Sequence, residues 1–96
     1  MSVAISERDL TAFVRDVAKA FAWRRYHTWL SKHSPAGFPD EVLLRPPRLV
    51  FAELKSERGR LKPEQEAWLE DLRQVPGVEV YQWRPEDMDA IVEVLR

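Results

Sequence analysis

Pro46-Pro47 separates two short apolar runs, residues 41–45 and residues 49–55, and this punctuation constrains the chain more than any other feature. The second run, Leu49-Val50-Phe51-Ala52-Glu53-Leu54-Lys55, is rich in β-branched and aromatic residues and stops at polar Ser56-Glu57-Arg58-Gly59. It therefore reads as one strand. The first run, Glu41-Val42-Leu43-Leu44-Arg45, pairs with it antiparallel through the Pro-Pro turn and brings Asp40 back toward Glu53. Side chains alternate faces along a strand, so Glu53 and Lys55 point the same way, about 6.6 Å apart at ~3.3 Å per residue. Two carboxylates and a lysine are thus expected to converge.

These residue types suit the hydrolysis of a phosphodiester. Magnesium favours hard oxygen ligands and binds through one or two carboxylates together with waters and substrate phosphate oxygens. Asp40 and Glu53 are the candidate ligands, for Mg2+ or Mn2+. A cation there polarises the phosphoryl group and lowers the pKa of a coordinated water, while Lys55 orients that water or balances phosphate charge. No covalent nucleophile is required.

The remaining segments alternate between helical and strand patterns. Ser6 is a candidate helix N-cap with Asp9 three residues on, and Leu10, Phe13, Val14, Val17, Ala18 and Phe21 repeat at helical spacing, predicting a helix over about residues 7–22. Residues 23–29 read as an aromatic-rich strand and residues 30–38 as a loop. Pro63 opens a second helix with an apolar stripe of Trp68, Leu69, Leu72 and Val75, and Pro76-Gly77 ends it. Residues 78–83 form a fourth strand. Pro85 starts a last helix whose Met88, Ile91, Val92 and Leu95 face inward. The order is αβββαβα, and the strand–helix–strand crossover should be right-handed and parallel.

Gly37-Phe38-Pro39-Asp40 with Glu53-Leu54-Lys55 resembles the PD-(D/E)XK nuclease superfamily. The wider stretch from Tyr26-His27-Thr28-Trp29 to Glu64-Gln65-Glu66-Ala67-Trp68-Leu69 resembles its VRR-NUC branch, in small stand-alone members from phages and bacteria. The resemblance implies an α/β fold with a restriction-endonuclease-like αβββαβ core, a mixed four-stranded sheet and a C-terminal helix. It also implies a DNA nuclease using magnesium or manganese, of a kind whose small members act on branched DNA such as four-way junctions. By the same resemblance, Glu7 near the inward stripe of the first helix is the helix acid of the metal site, with Asp9 the alternative. Gln65 is the helix glutamine that neighbours the active site. Each has an ordinary structural use as well: a first-turn glutamate stabilises a helix N-terminus, and a first-turn glutamine is solvated.

Ninety-six residues with 45% hydrophobic content suit one domain spanning residues 1–96 with a core of modest size. The absence of cysteine excludes disulfides, thiolate metal sites and cysteine catalysis. Neither a membrane span nor a signal-peptide core is present in the sequence, so a cytoplasmic protein is expected. The net charge of −1 conceals an asymmetry: between Arg24 and Lys62 nine basic residues face four acids, a surplus of +5 around the candidate site that leaves −6 on the rest. Such a distribution is the footprint expected for a polyanion. Lys32 and His33, in the loop before Gly37, and Arg58 are candidate DNA contacts. His27 reads more simply as a strand residue bonded to a neighbour. Core packing is the expectation for Trp23 and Trp68, whereas Trp29 and Trp83 stand at strand ends where packing and base stacking are both open. The reading that joins these observations is a metal-dependent endonuclease of branched DNA acting as a homodimer. A broad-specificity nuclease, a cutting module of a larger assembly and a non-catalytic nucleic-acid-binding domain are the alternatives.

Overall fold

A computed structural model describes residues 4–29 and 33–96. Helix α1 (Glu7–Ala20) begins in a reciprocal capping box, in which the Asp9 amide donates to the Ser6 hydroxyl at 3.0 Å and the Ser6 amide to the Asp9 carboxylate at 3.3 Å. Strand β1 (Arg24–His27), β2 (Glu41–Arg45) and β3 (Arg48–Leu54) follow, then helix α2 (Pro63–Arg73), strand β4 (Val78–Trp83), a 3-10 turn (Pro85–Asp87) and helix α3 (Met88–Leu95). The sheet order is β1-β2-β3-β4, antiparallel except for the β3/β4 pair, which is parallel as the crossover predicts.

Most differences from the predicted boundaries lie at element ends. The first helix stops at Ala20 rather than residue 22, because Ala22 takes a φ of +64° that no helix allows. β1 is four residues long and ends at His27, leaving Trp29 beyond the ladder. Val75 lies past the end of α2 and is exposed, so the stripe of that helix is shorter than the periodicity suggested. Val92 on α3 is only partly buried, whereas Ile91 and Leu95 carry the inward face.

Alternation along the strands divides the burial between two faces. Leu43 and Val50 are register partners, as are Glu41 and Ala52, and with Leu54 they form the face that α1 (Leu10, Val14, Ala18) and α3 (Ile91, Leu95) cover. The opposite face carries Phe51, which meets Phe38 edge-on at 6.0 Å, and Phe38 meets Trp68 of α2 at 5.1 Å. Trp23 closes the far end of the main core. Its indole N–H donates to the Leu95 carbonyl at 2.8 Å, and the guanidinium groups of Arg45 and Arg48 lie 4.5 and 4.9 Å from its ring. Arg48 is also held by both oxygens of Glu79 at 2.7 Å, and Arg45 by the carbonyls of Phe21 and Leu95. Two of the nine basic residues counted around the site therefore serve the fold.

Candidate functional site

The β2/β3 hairpin brings the two sequence-predicted carboxylates together. Because Glu41 pairs with Ala52, Asp40 stands one position beyond the ladder opposite Glu53. The Asp40 amide donates to the Glu53 carboxylate at 3.3 Å, and the Leu54 amide donates to the Asp40 carboxylate at 2.8 Å. The Glu53 carboxyl is thus tied to the backbone of Asp40 and the Asp40 carboxyl to the backbone next after Glu53, which holds the two acid groups at close range. Glu53 is 1% exposed. Burial first and the Asp40 charge second push its pKa from 4.5 up to about 8, against which the Lys55 ammonium pulls down. Lys55 follows the last strand residue, with its amide donating to the Trp83 carbonyl at 3.0 Å.

Segment 37–40 is fastened from several sides. Gly37 has a φ of +97°, and a Cβ there would lie 2.5 Å from the backbone carbonyl of Glu64, so only glycine permits the first turn of α2 to approach. Pro39 is fully buried, and its carbonyl accepts the Thr28 hydroxyl at 2.7 Å, while the Thr28 amide donates to the Asp40 carbonyl at 2.9 Å. The site is consequently built on β1, β2, β3 and α2 together.

Asp40 lines two clefts. One is also lined by Glu7, Arg8, Thr11 and His27, and the other, larger one by aromatic side chains and Gln65. Glu7 is exposed at the start of α1 and takes no part in the capping box, where Asp9 is engaged; of the two candidate helix acids, Glu7 alone lines a cleft with Asp40. Gln65 is partly buried, and its side-chain oxygen accepts the Lys62 amide at 2.8 Å, so it caps α2 while also lining the larger cleft. Arg58 is exposed on a bend after β3 whose Ser56 and Gly59 carbonyls both accept from Arg84 Nη1, at 2.8 and 2.6 Å. His33 is exposed on a turn before Gly37, and Lys32 lies outside the described residues. Among the described residues, no three His, Cys, Asp or Glu side chains form a ready metal cluster. Asp40 and Glu53 are the two hard oxygen donors that the hairpin brings together.

Sequence reasoning missed Glu41. It is 0% exposed on the α1 face, where its carboxylate accepts both Arg25 nitrogens, Nε and Nη2 (2.9 Å for the latter), and pairs with His27 Nδ1 at 2.6 Å. The signal available was alternation: His27, Arg25 and Glu41 share one face once β1 and β2 are paired. The same alternation places Tyr26 opposite them.

Residues 5–86 match the VRR-NUC domain family. The chain belongs to that family. A solved VRR-NUC domain superposes with a TM-score of 0.72, covering 91% of this chain and 94% of its own, at 20% sequence identity, a likeness that establishes the fold. No curated protein matches the chain. The restriction-endonuclease-like α/β architecture expected from the resemblance is therefore present, with its mixed four-stranded sheet and C-terminal helix, and the chain carries a nuclease-type domain. No helix among the described residues is long and apolar enough to cross a membrane.

Proposed function

We propose that this VRR-NUC domain is a metal-dependent endonuclease that hydrolyses phosphodiesters in branched DNA as a homodimer. The observation that carries the reading is the pairing of Asp40 with Glu53 at the open end of the β2/β3 hairpin, next to Lys55. Holding two carboxylates together, one of them buried, is unfavourable unless a proton or a cation compensates, and a pair of hard oxygen donors suits Mg2+ or Mn2+. Asp40 and Glu53 would hold the ion, with Glu7, which lines a cleft with Asp40, as the helix acid. When bound, such an ion polarises the phosphoryl group and acidifies a coordinated water.

The rest of the chemistry falls to the side chains. Lys55 supplies a positive charge beside the acid pair, where it balances charge on the phosphate or orients the attacking water. Arg58 on its stapled bend, and His33 and Lys32 in the segment before Gly37, are the proposed backbone contacts. Gln65 orients the first turn of α2 against the site. Arg24, Arg58, Arg60 and Lys62 are exposed and remain available as an electrostatic footprint after Arg25, Arg45 and Arg48 are engaged by the fold.

The preference for branched DNA and the dimer rest on counting. One acid pair makes one cut, a four-way junction is resolved by two opposed cuts, and a two-fold pair of chains matches the symmetry of the junction. The described residues carry no recognition helix or zinc finger, which leaves shape and phosphate position as what the chain reads. The test is a panel of linear duplex, single strand, flap and four-way junction incubated with Mn2+ or with chelator, alongside light scattering. Paired nicks in the junction, faster than in linear duplex and abolished by chelator, with a dimeric mass, are expected. A monomer that cuts junction and linear duplex equally defeats the branched-DNA reading in favour of broad specificity.

A further inference from the structure

Two large aromatic side chains stand in solvent beside the candidate site. Trp29 is 81% exposed and Tyr26 64%, whereas Trp23 and Trp83 are 6% and 3% exposed. Neither exposed ring is needed to fill the core. Both line the larger of the two clefts, a space of about 640 Å3 whose walls also include Phe38, Trp68, Lys62 and Asp40. Trp29 also lines the polar cleft that holds Glu7 and His27, and its ring meets the His27 ring edge-on at 6.0 Å. It therefore stands where the two clefts meet, beside the proposed metal ligand.

This placement restricts what can fill the cleft. An aromatic wall that shares its cleft with the proposed metal-binding carboxylate suits a ligand with a flat π-face and an adjoining phosphate, which is a nucleotide. Stacking on an exposed indole is open to every base, because each has a π-face. A base within a duplex must first leave its stack and its partner, at a cost of a few kcal/mol, so an unpaired base enters more readily. We propose that the aromatic cleft receives one unpaired nucleobase of the substrate strand, stacked on Trp29, next to the phosphodiester held at Asp40 and Glu53. The inference rests on the nuclease reading for the identity of that phosphodiester. It adds the substrate feature the site senses: a nucleotide freed from pairing at the point of cleavage, as occurs at a branch or flap.

The experiment separates base from phosphate. The whole chain, with chelator present, is titrated with short oligothymidylate and with an abasic oligomer of the same length and phosphate number, following intrinsic tryptophan fluorescence and the anisotropy of a labelled strand. The wild type should bind the base-bearing strand more tightly, with quenching. Trp29→Ala should lose roughly 5- to 100-fold of that binding, the range expected for one stacked base, and should bind both oligomers alike. Trp29→Phe should keep most of the affinity while most of the quenching disappears, since Trp23 and Trp83 are buried and Trp68, which also lines the cleft, is only partly exposed. An unchanged preference in Trp29→Ala, or full quenching in Trp29→Phe, overturns the proposal. In a second arm, a flap substrate carrying an abasic site at the branch nucleotide should be cut more slowly than its parent by the wild type and equally by Trp29→Ala. Equal cutting of both by the wild type overturns the base-binding cleft and leaves the nuclease reading intact. Trp29-dependent quenching without cleavage of any substrate in Mn2+ supports the cleft and defeats the nuclease reading.

Discussion

Replacing Glu53 by glutamine removes an ionisable group from beside Asp40 while leaving the side-chain volume nearly unchanged, and its effect on stability should depend on pH in a calculable way. In the unfolded chain Glu53 titrates near 4.5, and in the folded state near 8. Below about pH 4.5 both states hold the proton and the residue is neutral in its effect. Between 4.5 and 8 the unfolded chain releases the proton while the folded chain keeps it, so stability falls as pH rises and levels off above 8. At about 1.4 kcal/mol per pH unit, this span is worth at most about 5 kcal/mol; relaxation of the surroundings around the charged form brings it down to about 2–3 kcal/mol. The glutamine keeps an oxygen that can accept the Asp40 amide and has no proton to lose. In chelator, Glu53→Gln should match the wild type at pH 4–5 and exceed it by about 2 kcal/mol at pH 8–9, a rise in Tm of roughly 10 °C for a domain of this size. Circular-dichroism melts across that range measure it directly. Added Mg2+ or Mn2+ should stabilise the wild type most at the alkaline end and the variant little. A stability difference between the two proteins that does not change with pH would refute the reasoning.

Asp40→Asn and Lys55→Ala should each abolish cleavage in a Mn2+ assay while leaving a folded protein, because they remove a carboxylate ligand or a charge and no core volume; full activity in both would refute the assignment of the site. Glu7→Gln and Asp9→Ala should behave oppositely, the first slowing cleavage at nearly normal stability, the second costing about 0.5–1 kcal/mol of stability for the lost reciprocal bond of the capping box and its first-turn charge, at a normal rate, as read from paired melts and initial rates. Gly37→Ala should cost about 2–4 kcal/mol, since it puts a Cβ into the Glu64 backbone at a positive φ; a melting temperature within 2 °C of wild type, roughly, would show that the α2 turn yields instead.

The acid pair was legible in the sequence for a definite reason. Pro46-Pro47 and the two flanking runs admit one hairpin register that keeps Leu43 and Val50 on a single face, and that register carries Asp40 to Glu53. The two long helices and the β3/β4 crossover were legible for the same kind of reason, periodicity bounded by Ser6, Pro63 and Gly77. The hydrogen-bonded network around Glu41 was not, because Arg25 and His27 come from a separate strand whose pairing no local pattern specifies. Nor was the fate of the tryptophans: Trp23 and Trp29 flank the same short strand, yet one is buried against Leu95 and the other stands in solvent. The charge surplus was visible as a sum only, and tertiary structure decides which arginines are committed to Glu41, Glu79 and the Trp23 ring.

Segment 37–40 explains why the acid pair and the aromatic cleft belong to one device. Each of its four residues is anchored to something different: Gly37 to the first turn of α2 through its missing Cβ, Phe38 to Phe51 and Trp68, Pro39 to the Thr28 hydroxyl, and Asp40 to the amides of Leu54 and, at its carbonyl, Thr28. Thr28 follows β1 directly and precedes Trp29, so the residue that fixes the height of Asp40 also sets the base of the exposed indole. Phe38 and Asp40 line the same cleft two residues apart, and on that side α2 packs against the sheet through Phe38 and Trp68. On the proposed reading Trp29 would take the base and Asp40 would meet its phosphate, and Thr28 joins the two, through its peptide bond to Trp29 and its hydrogen bonds to the carbonyls of Pro39 and Asp40.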